Sequence, residues 1–219
     1  ETLHGYSRNK TNRDAISAKV WQSIPMTELH LVFGDDIRSP LPAGTQVVYL
    51  GMGCFWGAEK KLWVEPGVVR TVVGYMGGDT VDPLYPVVKT GTTGHAEIVQ
   101  VAYDPTKTSI YNVLKVFWEN HDPTQGNRQG NDIGTQYRSA LYWTTPEQEV
   151  VARATHDAYD AVLQKLGFDP ISTEMASAEG KKFWYAEEYH QQYLIKNPDG
   201  YDCHAHTGIN LPAEDALVS

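Results

Sequence analysis

Strand-like and helix-like segments follow one another along this chain without strict alternation, which predicts an α+β fold, a sheet covered by helices. Three observations carry that prediction. Residues 47–50 and 68–75 are β-branched apolar runs, residues 95–103 alternate with period two, and Ile110, Val113, Leu114, Phe117 and Trp118 recur at helical spacing. With 219 residues, 41% of them hydrophobic, the chain can bury a substantial core without staples.

Taken in order, residues 1–46 are polar and turn-rich, punctuated by Pro25, Pro40, Pro42 and Gly44, and predict an N-terminal arm packed on the core. The strand at 47–50 passes through Gly51, Met52 and Gly53 into a helix at 55–63, so Cys54 falls at a strand-to-helix junction. The strand at 68–75 is ended by Gly77 and Gly78. In 95–103, Glu97, Val99, Val101 and Tyr103 share one face, a carboxylate leading an apolar row. A helix follows from Ile110 to His121, then an amide- and glycine-rich loop over 121–139, too elaborate for a plain connector. A strand at 137–143 precedes Thr145-Pro146-Glu147-Gln148, a capping box that opens a long helix stopped by Gly167 and Pro170. A strand at 171–177 and a helix at 186–195 complete the main domain over 47–196, and residues 197–219 form an irregular Pro/Gly-rich tail.

Composition narrows the function. A formal charge of -9 and the absence of a basic run argue against a nucleic-acid partner. No apolar run is long enough for a membrane span and no charged-then-apolar leader is present, so a soluble, cytoplasmic monomer is expected. Residue 1 is Glu rather than Met, which leaves room for a removed targeting segment. Cys54 and Cys203 are the only cysteines and do not make a disulfide framework.

Cys54 is the candidate reactive group. A helix N-terminus presents unpaired N–H groups and partial positive charge, which favour a thiolate, the form that attacks electrophiles. Phe55 and Trp56 follow it and face about 100° apart in a first helical turn, so at least one ring should border the thiol. A hydrophobic helix start packed on the sheet is the plain alternative.

The segment GCFWG at 53–57 resembles the nucleophile motif of the A-type peptide methionine sulfoxide reductases. The likeness continues through GYMGG at 74–78, Tyr85, TGHAE at 93–97, YDP at 103–105, FWENHDPTQGNRQGND at 117–132, GTQYRSA at 134–140, AEEYHQQYL at 186–194 and NPDGY at 197–201. It spans residues 47–203, and long blocks in one order are far more specific than a lone glycine pattern. The resemblance implies a ferredoxin-like two-layer α/β sandwich with a mixed sheet, and reduction of free and protein-bound methionine-S-sulfoxide without a cofactor or metal. It assigns Cys54 as nucleophile, Glu97 as acid, Tyr85 and Tyr137 as phenols that orient the sulfoxide oxygen, Asp132 as organiser of a water, and Phe55 and Trp56 as the slot for the ε-methyl group. Cys203 would resolve the sulfenic acid left on Cys54, and thioredoxin would reduce the resulting disulfide; a low-molecular-weight thiol is the alternative reductant. The family tail reads Gly-Tyr-Cys, whereas Asp202 intervenes here and no third cysteine follows.

Two rivals are carried beside this reading. Cys54 with His190 or His95 would suit a cysteine hydrolase or acyltransferase, in which an imidazole deprotonates the thiol. Cys203, His204 and His206 offer metal-type ligands, but in a crowded spacing. By resemblance His190 would position the acid network; as a lone histidine on an aromatic helix it otherwise reads as a hydrogen-bonded packing residue.

Overall fold

The structure, a computed structural model, describes residues 29–202 and 205–218. Expectations that fall on residues 1–28, Cys203 or His204, the metal reading among them, lie outside the described residues.

Strand β1 (Gln46–Met52) leads into helix α1 (Phe55–Leu62), and β2 (Val68–Met76) is followed by the short α2 (Tyr85–Val88) and β3 (Ala96–Tyr103). Helix α3 (Ile110–Glu119), the two-residue strands β4 (Arg128–Gln129) and β5 (Asp132–Ile133), and β6 (Ser139–Trp143) come next. Helix α4 (Pro146–Lys165), β7 (Glu174–Ser177), β8 (Trp184–Tyr185) and α5 (Tyr193–Lys196) close the fold. The main sheet runs β7-β6-β1-β3-β2-β8, antiparallel except for the parallel β6–β7 pair. Its centre, β6-β1-β3-β2, is the ferredoxin-like order generated by the succession β1-α1-β2-β3-α3-β6.

Strand periodicity sorts the two faces. Val48, Leu50 and Met52 of β1, Val99 and Val101 of β3, and Leu141 of β6 pack with Phe55, Ala58 and Leu62 of α1, Leu114 and Phe117 of α3, and Tyr159 and Leu163 of α4. Each such fully buried aliphatic side chain contributes roughly 1.5–3 kcal/mol. The opposite face carries a smaller cluster of Met76, Ala96, Ile98, Ala140 and Tyr142, covered by Tyr49 and Phe183. Glu97 lies in the row with Val99 and Val101 and is 2% exposed, so β3 sends a carboxyl group into the helix-covered layer.

Helix starts follow local chemistry. Ser109 caps α3 through Asn112 N and Thr145 caps α4 through Gln148 N, each at 3.2 Å, with Pro146 in the first turn. The capping box is altered, however: Gln148 Oε1 accepts from Thr144 N at 2.8 Å, and its amide donates to Val47 O, tying the helix start to β1.

Several elements depart from expectation. The helix expected at 186–195 is broken into a 3-10 turn, Glu188–His190, and the four-residue α5, with Gln192 between them at φ 46. The cause is tertiary: Gln191 bonds Val73 N, Val73 O and Ala186 O, and Gln192 N donates to Glu59, contacts a continuous helix could not make. The strand expected from 171 begins at Glu174, because Ile171 N is taken by Asp160 and Ser172 N by Pro123 O. The strand expected from 137 begins at Ser139, since Tyr137 ends a 3-10 turn, and α2 was not foreseen.

Residues 29–45 lie against the sheet through buried His30 and Ile37 and through Arg70, which bonds Asp35 and Ser39. Late in the chain, Leu211 is buried and its N–H donates to Glu119, while the Tyr159 hydroxyl reaches Ile209 O. Among the described residues no helix is long and apolar enough to cross a membrane.

Candidate active site

The site begins where β1 stops. Gly53, at φ +88, turns the chain so tightly over Gln129 that a Cβ there would lie 2.6 Å from the Gln129 Cβ. Gln129 is itself held by paired bonds to Asp122 N and O, both at 2.9 Å, which fasten the loop expected at 121–139 beneath the turn. Cys54 then takes the N-cap position of α1 with no side-chain cap bond, and is 7% exposed. The first free N–H of the helix, that of Phe55, donates to Glu97 Oε2 at 3.0 Å. A helix N-terminus and a β3 carboxyl therefore meet beside the sulfur.

Burial pushes the Glu97 carboxyl up to about 8, the Phe55 N–H working against it and the Asp132 charge adding to it. Glu97 is thus an acid that still holds its proton near neutrality. The Tyr85 and Tyr137 hydroxyls are raised chiefly by burial and next by Glu97, with Cys54 and Asp132 adding further. Both stay protonated, and neither bonds a described residue, so both are hydrogen-bond donors in waiting. Cys54, Tyr85, Glu97, Asp132 and Tyr137, drawn from five segments, act electrostatically on one another and form one cluster.

The rings are ordered by their polar ends. Phe55 is 1% exposed and lies 5.0 Å from the His190 ring and 5.8 Å from Tyr75. Trp56 stacks on Tyr193 at 3.7 Å, and its indole N–H donates to His190 Nδ1 at 2.9 Å. That bond leaves the His190 proton on Nε2, and burial lowers its pKa to about 4. Tyr85 meets the His190 ring edge-on at 4.6 Å, and Glu187 fixes it from behind, accepting from Tyr85 N at 2.8 Å and from the Tyr75 hydroxyl at 2.9 Å. Asp132, on β5, accepts from the Tyr201 hydroxyl at 3.1 Å through Oδ1, while its buried Oδ2 has no partner among the described residues.

The structure brings Cys54, Tyr85, Glu97, Asp132 and Tyr137 together, and their frame holds residues that the sequence did not single out. Glu187, Tyr193 and Tyr75 were not singled out, although the first two lie within AEEYHQQYL; their carboxylate and rings on an irregular segment were the available signal. Neither histidine serves the hydrolase rival. His95 spends Nδ1 on Gly78 N and Nε2 on Thr80 O, and His190 spends Nδ1 on Trp56. Among the described residues no group of three metal-type ligands occurs.

Residues 46–215 match the model of the peptide methionine sulfoxide reductase family. The chain belongs to that family. It is 51% identical over 209 residues to the peptide methionine sulfoxide reductase MsrA of Rhodospirillum centenum, covering 95% of this chain and 94% of that one. It is 53% identical to the mitochondrial peptide methionine sulfoxide reductase of Rattus norvegicus, covering 87% of this chain and 81% of the relative. Among solved structures, methionine sulfoxide reductase A of Corynebacterium diphtheriae superposes with a TM-score of 0.76 at 44% identity, over 87% of this chain and 92% of that chain. The activity of the family is reduction of peptide methionine sulfoxide.

Proposed function

We propose that the protein reduces methionine-S-sulfoxide, free or within proteins, with Cys54 as nucleophile and Glu97 as acid. The observation that carries the reading is the 3.0 Å bond from Phe55 N to Glu97, which seats a buried, proton-holding carboxyl beside the helix N-terminus that bears the thiol. Sulfoxide oxygen leaves sulfur only once protonated, so the acid must be at hand before attack. Cys54 attacks the sulfur, Glu97 gives its proton to the oxygen, and Tyr85 and Tyr137 donate to that oxygen as charge develops. Asp132 accepts from a water that shares this network. The oxygen passes to Cys54 as a sulfenic acid, and methionine departs.

Phe55 and Trp56 face the ε-methyl group, so recognition rests on the end of the side chain and hardly on its surroundings. With methyl toward the rings and oxygen toward the three donors, a chiral sulfur presents its open side to Cys54 in one configuration, which we assign as S. Cys203 condenses with the sulfenic acid, and thioredoxin reduces the disulfide, a bridge on a Gly-rich tail being readily reducible. In this division of labour the domain over 47–196 performs the chemistry, the arm over 1–46 braces it, and the tail over 197–219 delivers the second thiol. The cycle starts from a reduced thiol and so suits a reducing compartment, here the cytoplasm, with the protein acting as a monomer in the repair of oxidised proteins.

Incubation with each epimer in the absence of reductant tests this. One equivalent of methionine from the S form, with thiol loss mapped by mass spectrometry to Cys54 and a 54–203 bridge, is expected. No methionine from either epimer would remove the proposal.

A further inference from the structure

Tyr201 and Asp202 are consecutive, yet their side chains are tied to different elements around the site. The Tyr201 hydroxyl donates to Asp132 Oδ1 at 3.1 Å, while Asp202 Oδ2 meets Lys60 Nζ at 2.8 Å on α1. Lys60 lies six positions after Cys54 on the same helix, a rise of about 9 Å. Asp132 is the carboxylate whose charge acts on Glu97 and on both phenols. The tail beyond has anchors of its own, Leu211 N to Glu119 and Tyr159 to Ile209 O, so the folding of residues 205–218 does not account for these two contacts. Asp202 is moreover the residue that separates this tail from a bare Gly-Tyr-Cys.

We infer that the Lys60–Asp202 and Tyr201–Asp132 contacts form a two-point latch that presents the tail to the active site, making Lys60 and Tyr201 positioning residues for the resolving step. The inference rests on the reading of Cys203 as the resolving thiol. Cys203 follows Asp202 directly in the sequence, so the contacts of Asp202 bear on the step that the next residue performs. In the step concerned, the Cys203 thiolate attacks the Cys54 sulfenic sulfur. A sulfur–sulfur bond forms, the sulfur–oxygen bond breaks, and the hydroxide leaves with the Cys203 proton as water, with no external oxidant required. Tethering the attacking chain raises its effective concentration at Cys54. Lys60 and Tyr201 are about half exposed, so each contact is individually weak and the ion pair is screened by salt. A latch of that strength holds the tail during resolution and yields it to a reductant afterwards.

The test separates the two half-reactions on the full chain, using methionine-S-sulfoxide without reductant. Methionine release and the 54–203 bridge are followed by rapid quenching and thiol-labelling mass spectrometry. Lys60→Met is expected to leave the methionine burst unchanged, and both Lys60→Met and Tyr201→Phe are expected to slow bridge formation relative to their own burst, each by about two- to fivefold. Lys60→Arg is expected to restore the wild-type rate. Raising the salt concentration should slow the wild type towards Lys60→Met and leave that variant unaffected. Bridge formation at the wild-type rate in both Lys60→Met and Tyr201→Phe would overturn the latch and leave the reading of Cys203 standing. A wild type that releases methionine but forms no 54–203 bridge would overturn that reading, and the latch with it.

Discussion

At the scale of single residues, the proposed chemistry turns on the protonation of Glu97. An acid held at about 8 is competent below that pH and spent above it, so the rate should fall as pH rises through about 8. Glu97→Gln keeps the size and loses the proton; a drop in kcat of about 10²–10⁴ is expected, with circular dichroism unchanged. Trp56→Phe removes the indole N–H that meets His190 and should raise KM more than it lowers kcat, as read from steady-state kinetics on a free methionine-S-sulfoxide analogue. Cys54 and the alternation around Glu97 were legible because both are local: a glycine-bounded junction and a period of two. Glu187 was not, since its partners, Tyr75 and the Tyr85 N–H, are brought to it from over a hundred residues away.

At the scale of elements, the same division holds. Capped α3 and α4 and the apolar row of β3 carry their own signals and fall where the pattern puts them. The 186–195 segment has helical residues but is claimed by the sheet edge, where one glutamine side chain serves both the N–H and the carbonyl of Val73. Gln191→Leu would orphan those groups and the Ala186 carbonyl, and should cost about 1–3 kcal/mol or more in urea unfolding. The break also sets the site, because a continuous helix would carry His190 and Glu187 away from Trp56 and Tyr85. Gly53→Ala should lose about 1–2 kcal/mol to its positive φ and further to the clash with Gln129, displacing Cys54 and lowering activity together with stability.

At the scale of the whole molecule, several titratable groups are buried against their charge, and stability should register them. Burial raises Glu59 to about 7 and Glu97 to about 8, so each stabilises the fold fully below the unfolded carboxyl value and loses that contribution as pH rises through the folded one. Burial lowers His30 and His190 to about 4, so their contribution is present above the unfolded histidine value and is lost as pH falls towards 4. The thermal midpoint should therefore decline on both sides of mildly acidic pH, and Glu59→Gln should flatten the alkaline side in calorimetry. The ferredoxin-like order was legible only through the likeness of long motif blocks, since strand pairing between distant segments leaves no local trace. The most direct test of the central claim is the pH dependence of the single-turnover methionine burst from the S epimer, compared between wild type and Glu97→Gln. The account predicts a fall near pH 8 in the wild type and a burst slowed at least a hundredfold, without that fall, in the variant. A variant burst within twofold of wild type, with the same profile, would contradict it.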